Sequence, residues 1–201
     1  MMVLRFWFAG PIVAKLGPLG LLATSAVLAI AGLYLLSSAS GLLMIFVFAT
    51  LYGFGKTFFW PTTLGVVSEQ CPKGGALTLN AIAGIGMLAV GILGGPVIGK
   101  MAEDAVKQSV IAETNEETYG KISKDSTYFL GDYTAVELAK VDSLQGDEKD
   151  TVKHSIQTGK QASLASVAIF PVFMLVCYLA LIFYFKGRGG YKPVELEESN
   201  S

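Results

Sequence analysis

The chain has 201 residues, 52% of them hydrophobic and 15% charged, with 23 glycines and a formal net charge of −1. Soluble domains carry about 25% charged residues, so the composition argues against an ordinary soluble domain and for a membrane protein. A charge balance near zero offers nothing to a nucleic-acid partner. Cys71 and Cys177 have neither metal-ligand spacing nor a disulfide framework, and both read as structural thiols.

Met1–Phe8 is short, apolar and aromatic, with Arg5 inside it, and is followed by Gly10, Pro11 and Lys15. It is too short to span and reads as the end of a preceding helix plus a cytoplasmic loop, residues 1–17. A signal peptide is the competing reading, with Arg5 and Lys15 as the basic region and Ser37–Ala39 as the cleavage site. Its apolar core, Leu16–Leu36, would exceed the usual length of about 7–15 residues.

The first span is expected over Pro18–Leu36. Ser37–Ser40 is a tight, uncharged turn, and Gly41–Val67 is the second span. That second stretch is long enough for a bilayer, which takes about 20 residues. It carries Lys56, with Trp60 and Pro61 just beyond. A lysine inside a span costs about 2.5–3.5 kcal/mol, so it should face protein or water and not lipid. Pro61 removes a backbone donor and should kink the helix. A charged, aromatic, proline-broken span suits a pore or a binding cavity; the alternative is a tolerated charge held by a neighbouring carbonyl.

The loop Glu69–Gly75 contains Pro72 and two glycines, which are breaker signals. The third span, Ala76–Ile98, holds Asn80 and a series of glycines. Gly91, Gly95 and Gly99 recur every fourth residue, the small-residue face that lets helix backbones approach closely. From Lys100 to Gln161 the composition flips, and twelve of the sixteen acidic residues lie between Glu103 and Asp150. This insert reads as a partly ordered, solvated loop, too polar for a large core. Helices are expected over Ala102–Glu117 and Asp147–Gln161, and Thr134–Glu137 fits a capping box. His154 reads as a solvated side chain. The last span is Ala162–Phe185, with Pro171 inside it, closing at Lys186. A short tail from residue 187 to Ser201 is expected to be disordered.

The positive-inside rule gathers Arg5, Lys15, Lys73, Lys186, Arg188 and Lys192 on one side. Both ends are therefore expected in the cytoplasm and residues 100–161 outside, in a plasma (inner) membrane. No span holds an Asp or Glu, a histidine cluster or a Ser/His/Asp set. An enzyme ranks last for that reason, with no catalytic residue, metal or cofactor indicated.

Gly10-Pro-Ile-Val-Ala-Lys15-Leu-Gly17 resembles the G-x-L-x-D-R-x-G loop of major facilitator superfamily transporters, with Gly10, Lys15 and Gly17 matching and Ala14 in place of the acidic residue. Phe59-Trp-Pro61 and the following Glu69-Gln-Cys-Pro72-Lys73 are similar to that family's fourth helix of a half and its cytoplasmic loop. Gly91-Ile-Leu-Gly-Gly95-Pro96-Val-Ile-Gly99 is similar to its fifth helix. The resemblance covers about residues 9–188. It implies an all-α membrane protein whose four transmembrane helices form part of a C-terminal half-bundle, with a long external polar loop. The chain would then lack the N-terminal half and two helices of its own half.

The resemblance further implies alternating-access transport of a small polar solute, such as a sugar or organic anion, by a chain not competent alone. Tyr52, Lys56, Trp60 and Asn80 would face the cavity. Lys56 would hold an anionic group or pair with a carboxylate from the missing half. Gly10, Lys15 and Gly17 would serve the conformational change, with Lys15 anchoring the loop to a neighbouring helix. Pro61, Gly91, Gly95, Pro96 and Gly99 would govern kinking and packing. The rival is a self-contained four-helix scaffold or regulatory protein that uses the insert as its external contact.

Overall fold

The computed structural model describes residues 2–128 and 131–194; the side chains of residues 2–14 and of Tyr128 lie outside that description. The elements in chain order are α1 (Met2–Ser37), α2 (Leu42–Thr57), α3 (Phe59–Gln70), α4 (Gly75–Ala89), α5 (Gly95–Glu113), α6 (Glu116–Ile122), β1 (Ser123–Tyr128), β2 (Gly131–Val136), α7 (Leu138–Ser143), α8 (Asp147–Val167) and α9 (Ile169–Gly187). Among the described residues, four helices are long and apolar enough to cross a membrane: Lys15–Ser37, Leu42–Gln70, Pro72–Glu113 and Asp147–Gly187. The last two continue well past the expected span ends, into the charged segment. The chain is mostly helical, and the β1–β2 hairpin corrects the all-α expectation.

Proline sets the breaks. Pro61 has no N–H for the Thr57 carbonyl, so α2 stops at Thr57 and α3 restarts at Phe59, with the Thr62 N–H bonding the Phe58 carbonyl at 3.1 Å. Pro171 does the same to Val167: α8 stops there, α9 restarts at Ile169, and the Val172 N–H bonds the Ala168 carbonyl at 3.1 Å. Pro96 denies a donor to Ile92. There the chain takes a five-residue π-helical turn, Val90–Gly94, with the Gly95 N–H reaching back to the Val90 carbonyl. The kink expected at Pro61 is thus present.

The break expected at Gly10-Pro11 falls later. The helix runs on through both residues and is interrupted at Gly17 (φ 68, ψ 166). Positive φ suits glycine, and Pro18 disfavours helical geometry in the residue before it.

Two compact units are distinguished. The first comprises residues 1–35, 39–87 and 168–201. Its α1 buries Leu22, Ser25, Ala26, Ala29 and Leu33, one stripe at helical spacing. The closest approach is to α2. A Cβ on Gly55 would lie 2.6 Å from the Ala29 nitrogen and 2.8 Å from the Ser25 oxygen, and one on Gly32 would lie 2.7 Å from the Tyr52 Cα. These two glycines set the antiparallel helix crossing. The Phe59 and Tyr178 rings stack at 6.4 Å between centroids, joining α3 to α9. Large apolar side chains such as Leu43, Phe46, Leu77, Met87 and Phe173 remain exposed.

The second unit comprises residues 36–38 and 88–167. The insert, expected to be partly ordered and too polar for a large core, builds a small one. Val106, Val110, Tyr119, Ile122, Val141, Val152 and Ile156 form a buried cluster drawn from α5, α6, α7 and α8. Gly159 lets α8 meet α5 directly, since a Cβ there would lie 2.6 Å from the Val106 Cα. Ser155 donates to Glu113 Oε2 at 2.6 Å across the same pair of helices. Asn115 caps α6, its Oδ1 accepting the Thr118 N–H at 2.7 Å. The hairpin pairs antiparallel from Ser123–Val136 to Tyr128–Gly131, and Glu103 Oε2 accepts the Val136 N–H at 3.1 Å. The capping box expected at Thr134–Glu137 is not formed. Thr134 lies in β2, and Glu137 precedes α7 without a side-chain cap bond.

Candidate functional site

The polar and aromatic groups of α2 sit where its close-packed face ends. Gly55 faces α1, and Lys56, about 100° further round a helix of 3.6 residues per turn, is exposed. Tyr52 lies one turn earlier. Its backbone presses on Gly32 while its ring lies under the ammonium, 5.5 Å from Nζ to the ring centroid, within cation–π range. Lys56 makes no salt bridge among the described residues. It also stands midway along the Leu42–Gln70 helix.

Trp60 follows the Phe58 break and is 47% exposed. Its six-membered ring seats on α4, 3.3 Å from where a Cβ on Gly86 would stand. Glycine at 86 is what admits the indole there. Asn80 is exposed on the same helix, but six residues from Gly86, or about 9 Å along the axis at 1.5 Å per residue. The structure therefore brings Tyr52 to Lys56 and seats Trp60 on α4 at Gly86, six residues beyond the exposed Asn80.

The small-residue stripe meets no other helix among the described residues. A Cβ on Gly91 or Gly99 would meet nothing within 4 Å, and one on Gly95 meets only the Val90 oxygen of its own turn, at 3.9 Å. Within their unit, Gly95, Pro96 and Gly99 instead floor a cleft of about 290 Å³, walled by Lys100, Glu103 and Tyr133. The carboxylate of Glu103 is already engaged with the hairpin backbone. At the other end of the chain, Lys15 is exposed and forms no ion pair among the described residues. Gly17 is the α1 break, and Gly10 lies in the helical segment whose surroundings are outside the description.

The tail supplies a constellation the sequence reading missed. Residues 188–194, expected to be disordered, fold back on the end of α3; residues 195–201 lie outside the described residues. The Tyr191 hydroxyl donates to Glu69 Oε2 at 2.6 Å, Gln70 Nε2 donates to the Lys192 carbonyl at 2.9 Å, and the Val194 N–H donates to the Glu69 carbonyl at 2.9 Å. The available signal was Gly189-Gly190 followed by an aromatic residue.

Burial, reinforced by the neighbouring Glu69 carboxylate, pushes the Tyr191 phenol from its ordinary value near 10 up to about 12. A raised value means that the folded state favours the protonated phenol. This contribution is fully present below pH about 10 and is lost as pH rises toward about 12. Titration followed by phenolate absorbance should show a late-ionising component, to which the buried Tyr119 also contributes, and Tyr191→Phe should shrink it by one tyrosine. No protein-family model, no curated protein and no solved structure matches this chain.

Proposed function

We propose that the chain is a four-span integral membrane protein supplying helices to a secondary transporter of the major facilitator type. It would move a small polar solute, such as a sugar or organic anion, by alternating access. The proposed setting is a plasma (inner) membrane, with both ends in the cytoplasm and residues 100–161 outside. The observation that carries this reading is Lys56: a lone cation midway along an apolar helix, exposed, with the Tyr52 ring beneath it. At mid-membrane it costs about 2.5–3.5 kcal/mol against lipid, a cost avoided beside a water-filled cavity or an anionic solute. The proline breaks add support, because transporter sites are built where membrane helices are discontinuous. On this reading Trp60 stacks on the solute. Asn80 of α4 hydrogen-bonds a polar group of the solute.

The test is uptake by membrane vesicles carrying the chain, alone and together with any further helices encoded in its reading frame, against a panel of labelled sugars and organic acids. Uptake by one of these forms is expected, and Lys56→Ala should reduce it to background. Uptake indifferent to Lys56→Ala would remove the cavity assignment. The folded core of the second unit favours a second reading, a membrane scaffold that uses this unit as its contact surface. A stable assembly silent for every solute would select it.

A further inference from the structure

We infer that residues 188–194 are a releasable strap that fastens the end of α3 to the end of α9, and that its release lets these two helix ends part. The chain reverses after α9 through Gly189 (φ 93) and Gly190 (φ 100), a conformation side chains rarely adopt. The Gly190 N–H bonds back to the Phe185 carbonyl at 2.9 Å, which aims Tyr191 at its two targets. Its ring meets Phe185 of α9 edge-on at 5.1 Å between centroids. Its hydroxyl reaches Glu69 of α3. Glu69 is gripped twice, by Tyr191 at its carboxylate and by Val194 at its carbonyl. Pro193, with no N–H of its own, lies between the Lys192 carbonyl bonded by Gln70 and the Val194 donor.

What is strapped together is specific. α3 is a twelve-residue segment that begins at the Pro61 break, and Glu69 and Gln70 are its far end. α9 begins at the Pro171 break, and Phe185 is near its far end. The strap thus ties the free ends of two segments, each hinged by a proline within its span. The tie consists of three hydrogen bonds and one ring contact reached through two glycines. Segments held by few contacts at a solvated end open locally at low free energy. This inference rests on the transporter reading only for what the parting serves, namely opening one face of the helix bundle.

The experiment uses the full chain in lipid nanodiscs, with nitroxide labels on Ser68→Cys and Lys186→Cys in a Cys71→Ser, Cys177→Ser background. Electron–electron resonance gives the distance distribution between the two ends, and hydrogen exchange reports on residues 189–194. Tyr191→Phe and Glu69→Ala should lengthen and broaden the distribution and speed exchange about tenfold, the size set by one hydrogen bond to a charged group. Glu69→Gln, which keeps an acceptor oxygen, should resemble the parent. Identical distributions in all variants, or a parent segment exchanging as fast as a free peptide, overturn the strap. Uptake measured on the same variants separates the two ideas. Parted ends without uptake by any form keep the strap and remove the transporter, whereas uptake with unaltered distances does the reverse.

Discussion

Gly55→Leu is expected to pull α1 and α2 apart. The added Cβ would stand 2.6 Å from the Ala29 nitrogen and 2.8 Å from the Ser25 oxygen. Both are backbone atoms, so no side-chain rotation relieves the clash. The helices must separate, and the buried stripe Leu22, Ser25, Ala26, Ala29 and Leu33 loses its cover. Overpacking costs about 1–3 kcal/mol where side chains can shift; against fixed backbone the upper end, about 3 kcal/mol or more, is expected. On the proposed membrane reading, lipid offers no compensating hydrophobic drive, because helix association in a membrane relies on close packing. Denaturant unfolding in micelles should show a sharply lowered midpoint. Gly91→Leu is the informative control, since its Cβ would meet nothing within 4 Å. A change of under about 0.5 kcal/mol is expected there. Equal effects at the two positions would sink the assignment of Gly55 as the crossing point.

Ile122→Ala is expected to unfold the second unit while sparing the first. Ile122 is fully buried among Val106, Val110, Tyr119, Val141, Val152 and Ile156. Removing its branched side chain costs about 2–5 kcal/mol, the larger value where the site cannot collapse. The cluster is small and its surroundings are strongly charged, so little apolar burial remains to compensate. Hydrogen exchange on the whole chain should show protection lost across residues 103–160 and retained in α1 and α2. Protection surviving throughout residues 103–160 would mean that the cluster is not what orders this unit.

The parts legible in the sequence were those governed by local chemistry. Apolar runs of bilayer length gave four helices near the expected places, because a hydrophobic run is read without knowing its neighbours. Pro61 and Pro171 gave breaks because the missing N–H acts on the carbonyl four residues earlier. The polar helix from Asp147 into the last span was legible for the same reason. The core of the insert was not. Its apolar members are separated by up to about fifty residues of charged sequence, and they form a cluster only when four helices converge.

The candidate site divides the same way. Lys56 stood out as the only cation inside an expected apolar span, with Tyr52 one turn before it on the same face; that the ring lies beneath the ammonium came from the structure. Asn80 was grouped with them as a polar residue of the third span, and it lies exposed on α4, the helix that seats Trp60. Composition likewise favoured the regular stripe Gly91, Gly95 and Gly99, yet the close helix contacts fall on the isolated Gly32, Gly55 and Gly159. A glycine matters for packing through what lies opposite it, and that is a property of the pair of helices. The apolar helices, their proline breaks and the lysine midway along the second of them follow from neighbours along the chain, so they can be read without the fold. Which glycines join helices, where the second core forms and that Tyr191 binds Glu69 depend instead on residues far apart in sequence that meet when the chain folds.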